Sequence, residues 1–312
     1  MFFYSVFVAA IGGYMKHYID PKVDCVFKAI LGRQENEHLL IDFLNSALNL
    51  DELIVRATVL NPYNEQTRFD AKLSVVDVKV KDQTGRVYQI EIQLTSPKHL
   101  QSRMIYTASQ LHSGQALKGD KYDVIKPSIA IWLITNDIPL TDSNGEIYQF
   151  KSGESHFKFE FADVNKNVVL GDDVQIHVFA LNHWVKPETI NGVDNWLYFF
   201  THAHRWKVLP TELKSSILEG AMKVLEQFSE QEESYYTYIS RQQARMKERS
   251  MEAELEDAKV RLDETKVELK QSAAKLEQSK AKLEQSEAKL EQSEAEKKAL
   301  LQRIAEFEAK SS

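Results

Sequence analysis

The chain has a single cysteine, Cys25, in 312 residues, so no disulfide can form within it. That suits a reducing compartment, and a cytoplasmic protein is the expectation. Glycine and proline are sparse, 11 and 7, and both vanish towards the end, with Pro210 and Gly220 the last of each. A long stretch without either residue is free to be one helix. No apolar run is long enough for a membrane span, which needs about 20 residues. The stretch from Phe2 to Met15 is the nearest approach, and it lacks the basic start of a signal peptide. It reads as an apolar leader over 1–14, with Met15-Lys16 a more natural beginning. Excess positive charge is also missing. The net charge is −7, with 14 Lys and Arg against 16 Asp and Glu from Met246 onward, which leaves −2 on the tail and −5 on the body. An acidic body does not advertise broad nucleic-acid affinity, which normally shows as a basic patch. Any contact with DNA therefore needs a local basic rim or bound metal ions.

What is present is concentrated in one predicted β-hairpin. Its arms run from Ala71 to Val80 and from Val87 to Leu94, joined by the turn-rich Lys81-Asp82-Gln83-Thr84-Gly85-Arg86. Side chains alternate along a strand. Val76, Val78, Val80, Tyr88, Ile90, Ile92 and Leu94 therefore fall on one face. Asp77, Lys79, Gln89, Glu91 and Gln93 fall on the other. A turn centred near Thr84 sets Asp77 opposite Glu91. Directly opposed residues have Cβ atoms about 4.5–5.5 Å apart, and like charges so placed repel. A shared divalent cation is one reason for the pair. A wet outer face is the other, since antiparallel hairpins commonly expose one side.

The elements around the hairpin follow from periodicity and breakers. Asp24–Leu31 and Glu35–Asn49 read as helices and Ile54–Leu60 as a strand ending at Asn61-Pro62. Leu100–Lys118 reads as a helix, and the continuous apolar run Ser128–Ile134 as a buried strand. Thr141 to about Asp173 reads as turn-rich with short alternating runs, Val174–Leu181 as a strand, and Pro187–Trp206 as a helix. His202 and His204 point in different directions on that helix, which disfavours a shared metal. Trp132, Trp184, Trp196 and Trp206 read as packing residues. In the tail, leucines recur every seven residues from Leu255 to Leu290, while the positions three further on include Ser272, Ser279, Ser286 and Ser293. This is a heptad array with one apolar position per repeat, expected to form a homo-oligomeric coiled coil, with a solvated single helix as the alternative.

Three sets of residues in this order resemble the PD-(D/E)XK nuclease superfamily, and within it the Rpn-type group of recombination-promoting nucleases and transposases. They are Asp24-Cys25-Val26-Phe27-Lys28, then Asp77-Val78-Lys79-Val80-Lys81-Asp82 with Gly85 and Ile90-Glu91-Ile92-Gln93, then Arg103-Met104-Ile105-Tyr106. The resemblance covers about Asp20 to Asn136 and continues more loosely to Trp206. It implies an α/β, restriction-endonuclease-like αβββαβ core with a mixed central sheet, followed here by a long C-terminal helix. Domain boundaries are expected at 15–210 for the nuclease-like domain, with a 141–210 extension, at 211–245 for a helical connector and at 246–312 for the coiled coil. It implies a DNA endonuclease in which Asp77 and Glu91 hold Mg²⁺ or Mn²⁺. Gln93 stands where the superfamily usually has a lysine, and Lys28 or Lys79 could supply the missing charge. Asp24, Lys79, Arg103 and Tyr106 become candidate substrate contacts, although Asp24 and Lys28 could equally form an i,i+4 ion pair. The competing expectation is a catalytically inactive nuclease fold that serves as a nucleic-acid or protein interaction module, assembled through its coiled coil.

Overall fold

The computed structural model describes residues 15–60, 76–95, 99–142, 144–213 and 215–310. The leader, Asn61-Pro62 and the first half of the Ala71–Val80 arm lie outside the described residues. Contacts divide the chain into two compact units, Met1–Arg245 and Met246–Ser312.

The first unit begins with two helices, α1 (Asp24–Leu31) and α2 (Glu37–Ala47), each with an apolar stripe. Asp24 sits in the first turn of α1, where its charge complements the helix dipole. Then come strands β1 (Ala57–Val59), β2 (Val78–Asp82) and β3 (Val87–Gln93), helix α3 (Leu100–Ser113) and strand β4 (Ser128–Ile134). The region read as turn-rich instead forms a long hairpin, β5 (His156–Asp163) and β6 (Val168–Ala180). Its outer strand alternates Phe157-Lys158-Phe159-Glu160-Phe161 but is mostly exposed, so the alternation marks no buried face. Helices α4 (Val193–His202) and α5 (Ser216–Glu230) follow, and α6 (Glu232–Lys310) begins within this unit. The Pro187–Trp206 helix thus starts six residues later than expected, beyond Pro187 and Gly192.

One six-stranded sheet runs in the order β1-β2-β3-β4-β6-β5. β1, β2 and β3 are antiparallel to one another, β3, β4 and β6 run parallel, and β5 returns antiparallel to β6. The mixed sheet is that expected of the αβββαβ core, extended at one edge by β6 and β5.

The two sheet faces carry different layers. Val78, Val80, Tyr88, Ile90, Ile92, Ile129, Ile131 and Leu133 face α1, α2, α4 and α5 in the larger core. Ala130, Trp132, Ile134 and Val178 face α3 through Leu100, Met104 and Ala108. β4 lies between two parallel neighbours and is buried throughout, which explains its unbroken apolar sequence. Trp132 and Trp196 are fully buried. Residues 211–245, read as a connector, contribute more than a link. Leu218, Ala221, Met222 and Leu225 of α5 belong to the larger core, and Ser215 caps the helix by accepting a bond from the Leu218 N–H at 3.2 Å.

Two glycines set the hairpin in place. Gly85 adopts φ +90° in its turn, a conformation L side chains rarely take. Gly32 ends α1 where a Cβ would meet the Lys28 carbonyl oxygen at 2.9 Å and Val78 Cγ2 at 3.1 Å. A bare backbone there lets α1 lie against β2.

In the second unit α6 is continuous, and every side chain described from Met246 onward is exposed. Its helix starts at Glu232, nine residues before the composition changes near Arg241. Tyr238 is buried and accepts a hydrogen bond from the Asp20 N–H at 3.2 Å, so the first turns of α6 belong to the globular unit. Among the described residues no helix is long and apolar enough to cross a membrane.

Candidate functional site

The hairpin register pairs Val78 with Ile90, Lys79 with Gln89 and Val80 with Tyr88. Continued by one residue, it sets Asp77 opposite Glu91. Asp77 Oδ2 also accepts a hydrogen bond from the Ile92 N–H at 3.1 Å, which ties this carboxylate to β3. The polar face is not solvated. Gln89 and Glu91 are 0% and 2% exposed, because α3 covers them. Gln89 donates to Thr107 Oγ1 of α3 at 2.7 Å and so anchors that helix.

Two cations enter from different helices. Lys28 Nζ of α1 lies 3.1 Å from Asp77 Oδ1, and Arg103 Nη2 of α3 lies 3.3 Å from Glu91 Oε2. Lys28 therefore reaches across to the hairpin, while Asp24 faces Arg241 at 3.8 Å, and the alternative of an i,i+4 pair between them does not form. The Arg103 guanidinium donates through Nη1 to Gln93 Oε1 at 3.3 Å and lies 5.4 Å from the centre of the Trp132 ring. Gln93 Nε2 in turn donates to Thr95 Oγ1 at 3.0 Å, which leaves its carbonyl oxygen turned to Arg103. A lysine at position 93 would set a second cation against Arg103. The amide accepts from it instead, and the site's positive charge comes from α1 and α3.

The remaining candidates are more peripheral. Lys79 is half-buried on β2, paired in register with Gln89. Tyr106 is 39% exposed, one turn beyond Arg103, and its hydroxyl accepts from Gln110 Nε2 at 2.9 Å. Thr95 and Trp132 escaped notice as members of the site. Trp132 was legible in principle, since it pairs with Glu91 in the parallel β3–β4 register and so shares its face.

Electrostatically, Glu91 is the unusual group. Its carboxyl is pushed up to about 8, first by burial and then by the negative charge of Asp77, against the opposing pull of Arg103 and Lys28. Its Oε1 is buried with no hydrogen-bond partner among the described residues. A buried acceptor left unmatched costs about 1–3 kcal/mol. Such a group calls for an explanation, and a missing cation is one. The donors present suit a hard divalent ion, since Mg²⁺ is often held by one or two carboxylates, with water and substrate phosphate oxygens completing its shell. The four side chains gather where the parallel strands β3 and β4 end, the usual place for ligands in open α/β sheets.

A mixed sheet flanked by helices, with two opposed acids and two basic residues at the strand ends, is the arrangement expected of a PD-(D/E)XK nuclease. The family model described as PD-(D/E)XK nuclease family transposase matches residues 21–257, and the chain belongs to that family. Neither the curated proteins nor the solved structures contain a match to the chain.

Proposed function

We propose that this protein is a divalent-metal-dependent endonuclease that hydrolyses phosphodiester bonds of DNA, of the recombination-promoting, transposase-like type. The observation that carries this reading is the opposed pair Asp77 and Glu91, with one Glu91 oxygen buried and unpartnered. Asp77 and Glu91 would hold Mg²⁺ or Mn²⁺. Such an ion, when bound, polarises the scissile phosphate and lowers the pKa of a coordinated water.

The chain's own groups then have distinct tasks. Lys28 places a positive charge beside Asp77, where it can stabilise charge on a phosphate oxygen. Arg103 offers a planar fork suited to phosphate, held in orientation by Gln93 and the Trp132 ring. Lys79 and Tyr106 extend the rim along which a DNA backbone would lie. Asp24, paired with Arg241, serves to position α1. Membership of the nuclease family and the absence of a membrane-spanning helix among the described residues support a cytoplasmic enzyme acting on DNA.

The alternative is an interaction module that keeps the fold without cleavage. The uncharged Gln93 and the acidic body favour it. Supercoiled plasmid incubated with Mg²⁺ or with EDTA separates the two. Metal-dependent nicking that disappears in both Asp77→Ala and Glu91→Ala supports the nuclease. Absence of cutting with either metal, or cutting unchanged in both variants, favours the interaction module.

A further inference from the structure

The leucine face of α6 is the largest unpartnered apolar feature of the second unit. Leu255, Leu262, Leu269, Leu276, Leu283 and Leu290 are each 56–70% exposed. We propose that a second copy of this chain covers that face, and that the two α6 helices run antiparallel with Leu255 level with the partner's Leu300.

The argument is charge complementarity at the positions that flank the seam. With the leucines at heptad position a, position d carries Ala258, Thr265 and the serines Ser272, Ser279, Ser286 and Ser293. Shifting the leucines to d would instead bring Lys259, Lys266 and Lys280 into position a, which excludes that frame. Flanking charges at e and g set partner choice and orientation. In an antiparallel pair, e faces e and g faces g.

In the proposed register, the e flank sets Lys259 against the partner's Glu294 and Lys266 against the partner's Glu287. The g flank sets Glu254 against the partner's Arg303, Arg261 against the partner's Glu296 and Glu268 against the partner's Lys289. Each pairing occurs twice by symmetry. Between Glu254 and Arg303, Lys275 against the partner's Lys282 is the single repulsive combination, and beyond that span Lys247 faces the partner's Lys310.

Competing arrangements do worse. Between Glu254 and Arg303 a parallel, in-register pair opposes Arg261 to the partner's Lys266 and Lys275 to the partner's Lys280. It keeps three attractive combinations (Glu254 with the partner's Lys259, Lys282 with the partner's Glu287, Lys289 with the partner's Glu294) against the five of the antiparallel register. Sliding the antiparallel pair by one heptad one way sets Glu254 against the partner's Glu296 and Arg261 against the partner's Lys289. Sliding it the other way sets Arg261 against the partner's Arg303 and Glu268 against the partner's Glu296. The lysine-rich middle and glutamate-rich end of this helix match each other when reversed. Antiparallel layers also place each central leucine beside a small serine or threonine, such as Leu276 with the partner's Ser279, and avoid stacking serine on serine.

The test uses the full chain with Cys25→Ser in every variant. Ala258→Cys and Lys297→Cys mark two positions that lie level across the proposed pair. Co-expressed and oxidised, the two variants should form a disulfide-linked heterodimer, while each alone stays uncross-linked. Sedimentation should show a concentration-dependent dimer. Lys266→Glu should weaken that dimer by about tenfold, since it turns two attractive pairs repulsive, and adding Glu287→Lys should restore it. Cross-linking of Ala258→Cys with itself would overturn the proposal in favour of parallel pairing. A monomer at all concentrations, an assembly larger than a dimer, or a dimer that fails to cross-link in the mixture would overturn it too.

Discussion

The two ends of one hairpin each bury a carboxylate, and the chain treats them in opposite ways. At the turn end, Asp82 is 7% exposed and fully supplied with donors. Its Oδ1 accepts from the Thr84 N–H at 2.8 Å, the Thr84 hydroxyl at 2.7 Å and the Arg86 N–H at 3.1 Å, and its Oδ2 from the Tyr88 hydroxyl at 2.7 Å. At the other end, Glu91 has Arg103 on one oxygen and no described residue on the other, with a second acid across the ladder. The first carboxylate organises a turn. The second is held at a cost that a proton or a bound cation would relieve. Burial alone does not distinguish structural from functional acids, but the donors each one has do.

The comparison is broken most directly by removing each acid. Asp77→Ala and Glu91→Ala should each reduce Mg²⁺-dependent plasmid nicking by at least about a hundredfold, the scale of lost transition-state electrostatics. Activity within a few fold of wild type would mean that Glu91 is no more functional than Asp82.

Stability should separate the two ends in sign. Asp82→Ala strips four donors of their acceptor and should destabilise the protein by about 3 kcal/mol in denaturant unfolding. Glu91→Gln in EDTA above about pH 8, where Glu91 is ionised, should do the reverse and raise the unfolding free energy by about 1 kcal/mol, because it removes repulsion from Asp77 and an unmatched buried charge. A loss of stability in that variant would show that the Arg103 ion pair outweighs both.

Smaller effects follow from titration. Glu91 has its ordinary value near 4.5 when unfolded and about 8 when folded, so the folded state keeps a proton that the unfolded chain releases. Its contribution is present in full below about pH 4.5 and is lost as pH rises to about 8. Metal-free wild type should therefore lose stability across that window relative to Glu91→Gln. Stabilisation by Mg²⁺ should grow over the same window, since the ion binds the carboxylate. Thermal unfolding at several pH values, with and without Mg²⁺, measures both. Gly85→Ala should cost least, about 1 kcal/mol, by forcing φ +90° on a residue with a Cβ.

Much of this was legible along the chain. Strict alternation from Tyr88 to Leu94 identified β3, and the turn chemistry of Asp82 and Gly85 set the register that opposes Asp77 to Glu91. Helix α3 stopped at Ser113 rather than Lys118, with Gly114 following. Val174–Leu181 reads as a strand, but β5 and the first half of β6 read as turn-rich, because their mostly exposed residues give no buried face to mark them as sheet.

Local periodicity by itself determined strands β2, β3 and β4, the two acids and the heptads of α6, because each depends on residues close in sequence. Tertiary structure alone decided whether the polar face of the hairpin was wet or covered, since only the packing of α3 buries Gln89 and Glu91. It also decided that Lys28 meets Asp77 while Asp24 meets Arg241, and that Arg103 reaches Glu91 and Gln93. Those contacts join separate elements, from ten residues apart for Arg103 and Gln93 to more than two hundred for Asp24 and Arg241, and no spacing along the chain encodes which pairs will meet.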